Sequence, residues 1–213
     1  MNIENNLNSV LSSLPKNVTL VAVSKTKPNS FILEAYRAGQ KIFGENKVQE
    51  LAQKAKELPK DIVWHMIGHL QTNKVKYIAP FVALIHGVDS IKLLKEINKR
   101  AEQNNRVIDC LLQVHIATES TKFGFDITEV EQAITNTKEL QNIKIVGLMG
   151  MATFIDNKRQ VIQEFKSLNA VFENVKNKDI TTLSMGMSGD YPLAIEQGST
   201  MIRVGSAIFG LRN

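Results

Sequence analysis

Eight short runs of near-continuous apolar residues, separated by amphipathic stretches, constrain this chain more than any other feature: VTLVAVS at 18–24, KIFGE at 41–45, DIVWHMI at 61–67, FVALIHGV at 81–88, RVIDCLLQV at 106–114, NIKIVGLMG at 142–150, DITTLSM at 179–185 and TMIRVGS at 200–206. A strand exposed on one face alternates apolar and polar residues, whereas a parallel strand covered on both faces reads as an unbroken apolar run. The runs therefore predict buried parallel strands with helices between them. Eight of them predict an α/β fold closed into a single TIM-type (β/α)8 barrel. A chain of 213 residues with 43% hydrophobic side chains suits one such domain over 1–213.

The stretches between the runs carry helix signals. Thr128 and Glu131 have capping-box spacing, Ser90 can cap the helix after Asp89, and Gly39 can close the first inter-strand helix. Between Asn157 and Asn174, Val161, Phe165, Leu168 and Phe172 recur at helical spacing, which predicts one stripe packed on the barrel. An additional helix over roughly 3–13 precedes the first strand and is expected to cover one barrel end.

Composition removes several function classes. No stretch reaches the roughly 20 apolar residues of a membrane span, and MNIENNLNSVLSSL lacks the basic start and apolar centre of a signal peptide, so a soluble cytoplasmic protein is expected. Cys110 lies within an apolar run and reads as a small core hydrophobe. The formal charge of +5 comes from lysines spread along helices such as SIKLLKEINKRAEQNN, and only 6% of residues are aromatic. That pattern is a solvated helix surface, not a nucleic-acid site, and the basicity suits a phosphorylated ligand.

In β/α barrels the chemistry gathers where each strand ends. Those ends supply Lys25; Glu45 and Asn46; His65 with Gly68; Asp89 and Ser90; Lys122; and finally Ser188, Arg203, Gly205 and Ser206. Lys25 shares strand parity with Val21 and Val23, so it points inward if they do. On residue chemistry alone it either carries its ammonium to water, as Lys27 beside Pro28 would, or forms a Schiff base with an aldehyde. LSMGMSGD and IRVGSAIFG set glycine-linked amides and hydroxyls in the loops after the seventh and eighth strands. These are the recurrent phosphate loops of barrels, although small glycine turns also serve as plain connections.

The same residues sit in motifs that run nearly end to end: AVSKTKP around Lys25, FGENKVQE at 43–50, WHMIGHLQTNK at 64–74, VDS at 88–90, GLMGM at 147–151 and LSMGMSGDYPLAIEQGSTMIRVGSAIFG at 183–210. In these the chain closely resembles the pyridoxal phosphate homeostasis protein family, whose barrel is similar to the amino-terminal domain of alanine racemase. The resemblance implies a bound pyridoxal 5'-phosphate (PLP), with Lys25 as its Schiff-base lysine. It implies a phosphate held by Ser188 and the Gly205–Ser206 turn, and Arg203 near the pyridine nitrogen. Asn46, His65 and Met187 lie in family motifs near the cofactor; for His65, a satisfied core histidine is an equal reading. The chain departs from common family spellings at HG before VDS and at His115, which leaves the fourth and fifth strand ends and Lys122 open.

The resemblance further implies a carrier that exchanges PLP with PLP-dependent apoenzymes, as a monomer, with no catalytic residue and no metal. The alternative is a PLP-dependent amino-acid racemase. In the similar racemases a second acid/base, a tyrosine, comes from an additional β domain. The sequence ends at Asn213, and Tyr36, Tyr77 and Tyr191 match no such motif, so negligible racemization is expected.

Overall fold

Every apolar run contains one strand. The computed structural model describes residues 2–118 and 123–211. Its strands are β1 (Thr19–Val23), β2 (Ile42–Glu45), β3 (Val63–Met66), β4 (Leu84–Val88), β5 (Ile108–Gln113), β6 (Ile143–Met149), β7 (Thr182–Met187) and β8 (Met201–Val204). They pair in parallel and in sequence order, and β8 closes against β1 through Thr19 with Met201 and Val21 with Arg203. The TIM-type barrel expected from the run count is the fold.

The helices are α1 (Ile3–Ser12), α2 (Asn29–Arg37), α3 (Val48–Glu57), α4 (Ile91–Gln103), α5 (Val130–Asn136), α6 (Lys158–Val175), α7 (Tyr191–Glu196) and the single turn α8 (Ser206–Phe209). None of the described helices is long and apolar enough to cross a membrane. The connection from β3 to β4 carries only a 3-10 helix, Thr72–Tyr77, continued by turns in which Val75 O accepts from Ala79 N–H and Ile78 O from Val82 N–H. Val75, Ile78, Ala79 and Val82 still cover the barrel there.

Local signals account for several ends. Gly39, at φ +100°, lets Gln40 N–H donate to Ala35 O and its own N–H donate to Tyr36 O, a paired closure of α2 that needs the left-handed conformation. Ser90 Oγ accepts from Leu93 N–H at 3.3 Å and caps α4. The capping box before α5 lies two residues earlier than the Thr128–Glu131 expectation. Asp126 Oδ1 accepts from Thr128 N–H, and Glu129 reaches back to Asp126 N–H. A carboxylate accepts better than a hydroxyl, so Asp126 takes the cap.

The helix α1 does not lid a barrel end. It docks against α2 and α8 in the outer layer, with Ile3 N–H donating to Glu34 and Asn6 Nδ2 donating to Ile208 O. One helical turn cannot cover β8, so Ile3, Leu7 and Val10 of α1 help complete that wall. Burying each such side chain contributes roughly 1.5 to 3 kcal/mol. The Val161, Phe165, Leu168 and Phe172 stripe of α6 is buried as its spacing predicts, and so is Cys110.

Candidate functional site

Strand parity decides what faces the barrel interior. Leu20 and Ala22 of β1 pack outward under the helices, whereas Val21 and Val23 point inward to a small cluster with Ile67, Leu84, Leu111, Met149 and Met201. Two residues beyond Val23, Lys25 therefore reaches a cavity of about 830 Å³ at the carboxyl ends of the strands. Asn46 lines the same cavity from the end of β2. A Cβ at Gly68 would stand 2.5 Å from Asn46 O, so only glycine lets the end of β3 press this close to the cavity wall.

Arg203 enters the cavity from β8 and is otherwise buried. Its Nη1 donates to Ser184 O at 3.0 Å and to Ser184 Oγ at 2.7 Å, and Nη2 donates to Gly150 O at 3.1 Å. The Ser184 hydroxyl also shares a hydrogen bond with His86 Nδ1, 3.2 Å away. His86 Nε2 in turn shares a hydrogen bond with His65 Nδ1 at 3.0 Å. A hydrogen-bonded chain thus runs from the cavity into the barrel. Burial pushes the His65 pKa down to about 3 and that of His86 well below the usual histidine value, so both rings are neutral at pH 7. Burial also draws Arg203 down to about 10, against the opposing charge of Asp190, and it stays cationic at neutral pH.

Across the mouth, Ser188 Oγ accepts from Gly205 N–H at 3.1 Å and Ala207 N–H at 3.5 Å. A serine that accepts two amides keeps its own hydrogen free for an anion. Asp190 Oδ1 accepts from Met187 N–H at 2.6 Å and shapes this loop. A Cβ at Gly205 would lie 3.1 Å from Val23 O, so the glycine allows the β8 end to close on β1. The donors that converge here suit a compact anion such as phosphate.

Seven of the expected cofactor residues, Lys25, Asn46, Met187, Ser188, Arg203, Gly205 and Ser206, line one cavity. His65 does not; it lies two residues below Ile67 on the inward face of β3, buried and paired with His86, as the core reading has it. Glu45, Asp89 and Ser90 act within the scaffold, Asp89 with His69 and Ser90 as a cap. His115 stands outside the main cavity, and Lys122 lies outside the described residues.

Sequence reasoning missed the wall after β6, where Met151, Thr153, Phe154 and Ile155 line the cavity and Glu164 of α6 accepts from both Thr153 N–H and its hydroxyl. The GLMGM motif ends at this wall and was its available signal. His86 and Ser184 were missed as well. A polar residue at an inward position of an apolar run is the mark they carried.

A family model described as alanine racemase, N-terminal domain, matches residues 1–213. A pyridoxal phosphate homeostasis protein of Aquifex aeolicus is 42% identical over 197 residues, which is 91% of this chain and 86% of that protein. Structures of PipY from Synechococcus elongatus, without PLP and with PLP bound, match with TM-scores of 0.93 and 0.89 at 37% and 36% identity, over 98% of this chain and 100% of PipY. An alanine racemase from E. faecalis shares the fold at a TM-score of 0.78 and 18% identity, over 99% of this chain and 58% of the racemase.

Proposed function

Because this chain belongs to the alanine racemase N-terminal domain family, together with the pyridoxal phosphate homeostasis proteins, we propose that it binds PLP as a Schiff base on Lys25 and passes it to PLP-dependent apoenzymes without substantial catalysis. The observation that carries this reading is the opposition, across one cavity, of Lys25 to the Ser188 hydroxyl, whose hydrogen the Gly205 and Ala207 amides leave free by donating to its oxygen. An amine on one wall and anion donors on another fit an aldehyde that carries a phosphate. PipY, which was solved with PLP bound, matches nearly the whole chain and supports the same ligand.

Bound PLP supplies an aldehyde that condenses reversibly with an amine, and a ring that withdraws electrons. Lys25 first loses its ammonium proton to solvent; at the ordinary lysine pKa only about one amine in 2,500 is neutral at pH 7. The Lys25 amine would hold the ligand by condensing with its aldehyde, whose oxygen would leave as water with both amine hydrogens. Release is the reverse hydrolysis. Ser188 and Ser206 would hold the phosphate through their hydroxyls, and Arg203 would offer a donor to the ring nitrogen.

Borohydride reduction of the PLP-loaded protein followed by peptide mapping should find the pyridoxyl group on Lys25. Recovery mainly on Lys27, whose ammonium donates to Leu211 O at the same rim, or on Lys122 would overturn the assignment.

A cationic Arg203 beside the ring nitrogen disfavours its protonation and weakens the electron sink that racemization needs. The three tyrosines also sit elsewhere: the Tyr36 hydroxyl donates to Asp61, Tyr191 approaches Ser13 and Tyr77 is exposed on the 3-10 helix. Deuterium exchange at the α-carbon of alanine should therefore be far below about 1 per second, the low end of ordinary enzyme turnover. Exchange at or above that rate would reject the carrier reading in favour of a racemase-like enzyme.

A further inference from the structure

The segment that bears Lys25 is held in a conformation its sequence does not favour. Lys27 N–H donates to Ser24 O at 3.0 Å, which closes a turn with Lys25 and Thr26 at its centre. Thr26 adopts φ +64°. Turns with positive φ at this position normally use glycine or asparagine, and a β-branched residue there is strained. Such strain persists only where the surroundings over-determine it.

Two side chains of α3, one turn apart, supply that determination. Glu50 Oε1 accepts from Thr26 N–H at 2.6 Å, and Lys54 Nζ donates to Ser24 O at 2.9 Å, so the backbone is grasped on both sides of Lys25. Lys54 also pairs with Glu50 Oε1 at 2.6 Å and with Glu45 Oε1 at 2.8 Å, and Glu45 Oε1 accepts from the Ser24 hydroxyl at 2.6 Å. The Lys54 side chain is 7% exposed and that of Glu45 is fully buried. Glu45 Oε2 is buried with no hydrogen-bond partner among the described residues. Desolvation largely cancels the attraction of a buried ion pair, so general stability is a poor account of this cluster. Its contacts fall instead on the peptide groups next to one side chain.

We propose that Glu50 and Lys54, backed by Glu45, are positioning residues that clamp the strained Ser24–Lys27 turn and preset the direction in which Lys25 presents its amine to the ligand. This rests on the reading of Lys25 as the Schiff-base lysine. A free turn would let the amine sample many approaches, and each unproductive one would slow and weaken covalent capture. The clamp acts on the covalent bond alone, since the phosphate donors belong to β7 and β8 across the cavity.

The test compares PLP with pyridoxine 5'-phosphate, which keeps the ring and phosphate but has an alcohol in place of the aldehyde. Glu50→Ala should weaken PLP binding and slow the visible imine absorption by about 10- to 100-fold, while pyridoxine 5'-phosphate changes less than about twofold. Glu50→Gln keeps a carbonyl acceptor for Thr26 N–H and should restore most of the PLP affinity. Glycine adopts positive φ freely, so in a Thr26→Gly background the Glu50→Ala loss should shrink to under about threefold. Equal loss of both ligands, or an unchanged imine in Glu50→Ala, would overturn the clamp while leaving Lys25 intact. Absence of the imine in the unmodified protein would overturn the reading of Lys25, and the clamp with it.

Discussion

Pyridoxal, which keeps the aldehyde but lacks the phosphate, should bind about 3 to 6 kcal/mol more weakly than PLP, roughly 100-fold to 10,000-fold. A phosphate monoester carries about 1.5 to 2 negative charges near neutral pH, and each charge-assisted hydrogen bond contributes roughly 1.5 to 3 kcal/mol. The proposed donors are the Ser188 and Ser206 hydroxyls, with Ser188 held in place by the Gly205 and Ala207 amides that donate to its oxygen. Losing two such bonds accounts for the expected range. Ser188→Ala combined with Ser206→Ala should weaken PLP and leave pyridoxal nearly unchanged, once pyridoxal affinity is corrected for the hemiacetal that hides its aldehyde. Equal loss for both ligands would show that the serines shape the mouth as a whole, and the phosphate-anchor assignment would fall.

The second large effect is on acid stability. His65 and His86 are buried as neutral rings, so the unfolded chain takes up protons that the folded barrel refuses. Depressed folded-state values mean that this contribution is complete above about pH 6.5 and is lost as pH falls toward 3. At pH 5 His65 costs the folded state about 2 kcal/mol relative to pH 7, and His86 adds to the loss in the same direction. Burial pushes the Glu45 carboxyl the other way, which offsets part of the slope. Urea unfolding at pH 7 and pH 5 measures the sum, and NMR of the ring protons isolates the histidines. A stability change under about 1 kcal/mol, with either ring titrating near pH 6.5, would show that water reaches the chain from Arg203 to His65.

Much of the barrel was legible because its signals are local or periodic. Unbroken apolar runs mark strands covered on both faces, and all of the expected runs contain one. Parity carried Lys25 from Val21 and Val23 to the cavity, and glycine-linked turns marked the anion end. Gly39 and Ser90 announced helix ends through chemistry confined to a few residues. Where two local signals competed, as at Asp126 and Thr128, the stronger acceptor took the cap.

What the sequence determined by itself was therefore the order of elements, the faces they bury and the lysine at the mouth, because each depends on spacing along the chain. Only the tertiary structure decided that α1 fills the wall beside the short α8 and that His65 pairs with His86. It alone brought Lys54 to Ser24, thirty positions apart, and Arg203 to Ser184. A polar side chain in an apolar run must find a partner when buried, but which partner depends on strands that become neighbours only when the barrel closes.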